Sequence, residues 1–97
     1  MKEYGYSYEA LAFHKRNKSM EPFFVNVAKG RQEESVVFNH PGEEFIFMIK
    51  GEMLFTHGGK KHFLQAGDCV YFEAAEDHRI KNVGKTDLQL LMVMVTP

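Results

Sequence analysis

A single cysteine, Cys69, occurs in the 97 residues. One thiol excludes an internal disulfide framework and suits a reducing compartment, so a cytoplasmic setting is expected. An excess of either charge is also lacking. The 12 Lys and Arg against 13 Asp and Glu leave a net charge of −1 with histidine neutral. Such a balance gives no general attraction to nucleic acid or to an acidic membrane surface. The opening stretch MKEYGYSYEA lacks the apolar run of a signal peptide, and no segment has the roughly 20 apolar residues needed to cross a bilayer. Phosphate-cradling glycine loops, a nucleophile elbow and a CxxC pair are all missing, which removes the simplest nucleotide, acyl-transfer and dithiol readings. A convincing helical period is missing too. Residues 9–18 contain good helix formers, but the alternating aromatics of YGYSYEA favour a strand there.

What is present points to one all-β domain. The length suits one domain, and a chain this size buries roughly 60–70% of its unfolded surface, enough for one core without staples. Glycine and proline recur at short intervals, at Gly5, Pro22, Gly30, Pro41, Gly42, Gly51, Gly58, Gly59, Gly67, Gly84 and Pro97. The runs between them are rich in Phe, Val, Ile and Tyr, a spacing that predicts a sandwich or barrel. Strands are expected over residues 6–13, 23–28, 35–39, 44–50, 52–57, 60–64, 69–72, 79–82 and 88–95. Paired glycines in THGGKKHF accept the positive φ of a tight hairpin turn, and residues 50–52 form another tight link. Alternation puts Glu44, Ile46 and Met48 on one face of their strand and Phe45, Phe47 and Ile49 on the other. Both faces are apolar, so this strand is expected to be covered twice. The second cover is either a pair of N-terminal strands or a partner subunit. LQLLMVMV, apolar on both faces, adds to the expectation of a homodimer.

His40, Glu44 and His78 are the candidate ligands. Imidazole and carboxylate bind divalent transition metals well, and His40 and Glu44 share a parity that suggests a common face. Glu43 lies beside them. His57 and His62 flank the Gly58 and Gly59 turn, where histidines are usually solvated. Cys69 has no His or Lys neighbour in sequence and reads as a small buried apolar residue. Met48, Met53, Met92 and Met94 are adaptable strand packing or, alternatively, walls of an apolar pocket.

HPGEEFIFMIKG and GDCVYFEAAEDHRIKN resemble, in order and separation, the two motifs of the cupin superfamily. His40, Glu44 and Gly51 match the first motif, whose other histidine falls on Phe38. Gly67, His78 and Asn82 match the second, whose proline and second glycine are Glu73 and Ala75 here. The resemblance covers residues 36–94. It implies an all-β, jelly-roll double-stranded β-helix in a single domain spanning residues 1–97, commonly dimeric. It also implies a metal site at His40, Glu44 and His78 for Zn, Fe, Mn or Ni, or a metal-free pocket, since Phe38 removes one nitrogen. Phe38, Ile46, Met48 and Phe72 would wall that pocket. The lead-in YGYSYEALAFHKRNKSMEPFFVNV is similar to that of cupin domains in helix-turn-helix transcription regulators, which implies a sensor module that takes a small molecule and contacts no nucleic acid directly. A metal-dependent enzyme, with Glu43, Glu73 or Tyr71 as acid or base, is the alternative. A filled, purely structural barrel is a third reading.

Overall fold

The computed structural model describes residues 2–3, 5–12, 14–30 and 37–96. Among these the ordered elements are strands: β1 (Lys2–Glu3), β2 (Tyr6–Ala10), β3 (Met20–Val27), β4 (Glu43–Lys50), β5 (Glu52–His57), β6 (Lys60–Gln65), β7 (Cys69–Glu73), β8 (His78–Asn82) and β9 (Leu88–Val95). They form a six-stranded sheet, β1-β2-β3-β9-β4-β7, and a three-stranded sheet, β6-β5-β8. All pairings are antiparallel. The expected cupin-type β-barrel is thus observed, and no helix among the described residues is long and apolar enough to cross a membrane.

The corner between sheets is local chemistry. A register shift between Met48 and Lys50 bends β4, as an extra residue in one strand of a pair does. Gly51 follows with φ of 97°, a conformation that side chains with a Cβ rarely adopt. A Cβ there would also sit 3.1 Å from Asp87 O and Leu88 Cα. The link therefore carries the chain from one sheet to the other. It is not a hairpin, because β5 pairs with β6 and β8. The Gly58–Gly59 turn is the expected hairpin, with φ of 55° and 81°.

The core lies between the sheets. Rows of paired residues cross the large sheet on its inner face: Val25, Leu90 and Met48 in one row, Phe23, Met92 and Ile46 in the next. Met53 and Phe55 of β5 and Ile80 of β8 close the core from the other sheet. Behind it, Asn82 is 3% exposed. Its Nδ2 donates to Val27 O at 3.0 Å and to Thr86 O at 2.9 Å, while its Oδ1 accepts from Gly84 N at 3.0 Å. One amide thus ties β3, β8 and the turn before β9 together. Replacing Asn82 with alanine is expected to cost about 2–3 kcal/mol, because buried backbone groups lose their partners. Urea unfolding would read it as a lower midpoint at unchanged slope.

Several expectations are corrected. The strand expected over residues 6–13 ends at Ala10, and Phe13 lies outside the described residues. The strand expected over residues 35–39 falls partly outside them, and its described part makes a single bridge, Phe38 to His78. Cys69 is exposed, not buried. The N-terminal strands do not pack over β4. They extend its sheet edge to edge through β3 and β9, because β3 offers its backbone, not only its side chains, to β9. The outer face of β4 consequently stays open in the single chain, with Phe47 38% and Ile49 44% exposed.

Candidate metal centre and ligand pocket

Three elements deliver the candidate ligands. Glu44, second in β4, points inward and is buried; His78 opens β8 in the facing sheet and is buried as well. His40 sits in the loop before β4, half-buried. Backbone lacing holds that loop against the β7–β8 connection. Phe38 and His78 exchange N–H to carbonyl bonds at 2.9 Å, His40 N donates to Ala74 O at 3.0 Å, and Ala74 N donates to Gly42 O at 2.9 Å. Residues far apart in sequence meet because main-chain bonds, and not the side chains themselves, fix their positions.

The convergence is tight. His40 Nε2 lies 2.9 Å and His78 Nε2 3.7 Å from Glu44 Oε1. One ligand atom from each residue falls within 4.8 Å of the other two. On the far side of each ring, His78 Nδ1 is 2.9 Å from Glu76 O and His40 Nδ1 is 3.3 Å from Pro41 O. A carbonyl can only accept, so Nδ1 carries the proton and a neutral ring turns the lone pair of Nε2 toward Glu44. Lone pairs then face a carboxylate, which demands either an imidazolium proton or a cation between them. Burial pushes the His78 pKa down, but the Glu44 carboxylate and the Glu76 carbonyl outweigh it, and the net direction is up. Glu44 Oε2 is buried with no partner among the described residues, a costly state for a carboxylate oxygen.

A divalent ion answers each of these demands. Metal bonds of about 2.0–2.2 Å put ligand atoms roughly 3–4 Å apart, so a pair at the widest separation of 4.8 Å needs to close by about 1–2 Å. Two imidazoles and one carboxylate suit Zn, Fe, Mn or Ni. The backbone carbonyls behind the rings supply the orienting outer contacts that metal-bound histidines usually have. The residues present therefore fit a metal.

Above the trio lies a cavity of about 280 Å³. Its walls are Tyr8, Phe23, Phe38, Ile80, Met92 and Met94, and its floor is His40, Glu44 and His78. Phe38 is one of the wall residues. Ile46 and Met48 differ from expectation: both are wholly buried in the core and are not among the cavity's lining residues. Phe72 is not among them either. It packs against His78 and Phe55, with ring centroids 4.8 and 4.7 Å away, and so backs the His78 ring. Tyr8, Phe23 and Ile80 were not anticipated. Of the methionines, Met92 and Met94 face the cavity. Tyr71 is exposed and hydrogen-bonds Glu43 on the outer side of the sheet, and Glu73 is exposed. His57 is half-buried instead of solvated, its ring centroid 5.0 Å from that of Phe72 and its Nε2 2.9 Å from Glu73 O. His62 is exposed and stacks on Phe55.

Phe38 faces the cavity with its backbone pinned opposite His78, so its ring occupies space beside His40, Glu44 and His78. Phe38→His is expected to raise affinity for zinc or nickel about tenfold or more, a gain of roughly 1.4 kcal/mol. Competition against a chelating dye would measure it, and unchanged affinity would show that the new imidazole cannot reach the ion.

The cupin domain family matches residues 23–94 of the sequence. The chain belongs to the cupin family. An oxalate-binding protein of Thermotoga maritima is 39% identical over 57 residues, which cover 58% of this cupin and 47% of that protein. Hydroxypropylphosphonic acid epoxidase from S. wedmorenis is similar in structure, with a TM-score of 0.81 and 26% identity over 93% of this chain and 50% of that one. The cupin therefore spans about half the length of both proteins. The cupin domain of an XRE family transcriptional regulator from Enterobacter cloacae matches with a TM-score of 0.83 over 96% of this chain and 98% of that domain. Its 17% identity makes this a likeness of fold.

Proposed function

We propose that this cupin holds one divalent transition metal at His40, Glu44 and His78 and accepts a small molecule in the cavity above it, as a homodimeric cytoplasmic sensor module. The observation that carries the reading is the convergence of two imidazole Nε2 atoms on a buried carboxylate whose Oε2 has no partner among the described residues. A bound ion would offer open positions toward the cavity, where it would act as a Lewis acid and polar anchor. The oxalate-binding relative agrees with small-molecule binding.

The make-up of the described lining supports sensing. Besides the Tyr8 phenol, the titratable side chains among its described lining residues are His40, Glu44 and His78. A general acid or base must come within hydrogen-bond reach of substrate, and Glu43, Glu73 and Tyr71 do not line this space. The likeness to an epoxidase supports the second reading, a metal-dependent enzyme whose ion carries the chemistry.

Titration of metal-stripped protein with Co(II) tests the proposal. One equivalent per chain, with visible d–d absorption, is expected; no uptake at micromolar concentration would overturn the metal centre. Oxygen consumption by the Fe(II)-loaded protein, with steady turnover of an added small molecule, would favour the enzyme.

A further inference from the structure

Resting on the metal centre proposed above, we infer that the ligand is a compact monoanion with an apolar body, such as an aryl or branched alkyl monocarboxylate, and not a small dianion. The cavity supplies the reasons. Its walls are three aromatic rings, two methionines and an isoleucine, and among the described residues no lysine or arginine lines it. Its volume of about 280 Å³ corresponds to about nine water-sized units at roughly 30 Å³ each. One ring with one acidic group is of that size. Oxalate, two carboxylates joined directly, would leave most of the space unfilled, and any second charge beyond the metal would face apolar side chains.

Charge gives the same answer. A divalent ion held by one carboxylate and two neutral imidazoles leaves a net charge of +1 beside largely apolar walls. One anionic head neutralises it, whereas a second carboxylate would meet no cationic side chain among the described lining residues. Ligand pockets combine apolar walls with a few polar groups that set orientation. Here, among the described lining residues, the polar groups other than the Tyr8 phenol lie on the floor. The ligand's acid therefore points down to His40, Glu44 and His78, and its apolar body lies against Phe23, Phe38 and Met92.

Three probes with the same head separate the parts: acetate, benzoate and terephthalate. Co(II) absorption on the loaded protein reports the head, and ¹⁵N–¹H shifts of the Phe23 and Met92 amides in the Zn(II)-loaded protein report the body. Benzoate is expected to bind at least about tenfold more tightly than acetate, because the ring is buried, and at least about tenfold more tightly than terephthalate. Met94→Arg, which places a cation on the wall, is expected to narrow or reverse the preference against terephthalate. Equal affinity for acetate and benzoate, or terephthalate binding as well as benzoate, would overturn the inference while leaving the metal centre standing. Failure of Co(II) to bind at all would instead sink the metal centre and, with it, the anionic head.

Discussion

Changing His78 to alanine is expected to lower affinity for Co(II) or Zn(II) by at least about a hundredfold, since losing even an outer contact to a metal ligand costs 10–100-fold. The side chain is buried, its Nδ1 is held by Glu76 O, Phe38 stacks on its ring and Phe72 packs against it edge to face. The imidazole thus has little freedom to lose when it binds an ion. Glu44→Gln is the companion, because it keeps shape and volume but removes the charge that pairs with both histidines. If either variant binds metal as the parent does, the convergence of the three groups is structural. Far-UV circular dichroism and a thermal melt guard against misfolding as the cause. The pH dependence adds a second readout. His78 has a pKa above its ordinary value of 6.5 in the folded metal-free protein. Its charged form therefore contributes stability that is complete below the unfolded pKa and is lost as pH rises through the folded one. Metal competes with that same proton. Relative to His78→Ala, the metal-free protein should lose stability as pH rises through this range, while the loaded protein gains it.

The trio was legible in the sequence because motif spacing encodes strand length. The residue counts from His40 to Glu44 to Gly51, and from Gly67 to His78 to Asn82, measure a loop, a strand and a corner. Alternation then put Glu44 on the inner face with Ile46 and Met48. Parity tells which face a side chain takes but not how deep along the strand it sits, which is why Ile46 and Met48 fell in the closed core instead of the cavity. The same alternation, applied to Val70 and Phe72 as inward residues, would have put Cys69 and Tyr71 outside, where they are. The walls supplied by Tyr8 and Phe23 were hidden for another reason. They depend on β3 pairing with β9 across some seventy positions, as Phe23 with Met92, and no local pattern announces a pairing that distant. Nor does composition separate strands that cover a sheet from strands that widen it.

That widened sheet underlies the remaining large effect: Phe47→Asp is expected to convert a species of twice 11.2 kDa into one of 11.2 kDa. Adjacent rows on the outer face are apolar from strand to strand, Cys69, Phe47, Leu91 and Phe24 in one and Tyr71, Phe45, Val93 and Pro22 in the next. Phe47, Ile49 and Tyr71 remain 38%, 44% and 66% exposed, an open patch of the kind that marks an interaction surface. We propose a second copy as its occupant. A two-fold pair would bring the same apolar rows against themselves, so each substitution acts twice. An aspartate at Phe47 has no lysine or arginine in register on either neighbouring strand. Its carboxylate would lose water without gaining a partner, at a cost of several kcal/mol per copy. In the separated chain the same side chain would sit in solvent, so the fold should survive. Light scattering together with circular dichroism distinguishes the outcomes. A parent that already runs at 11.2 kDa, or a variant that keeps the doubled mass, would show that the outer face of β4 is not where two copies meet.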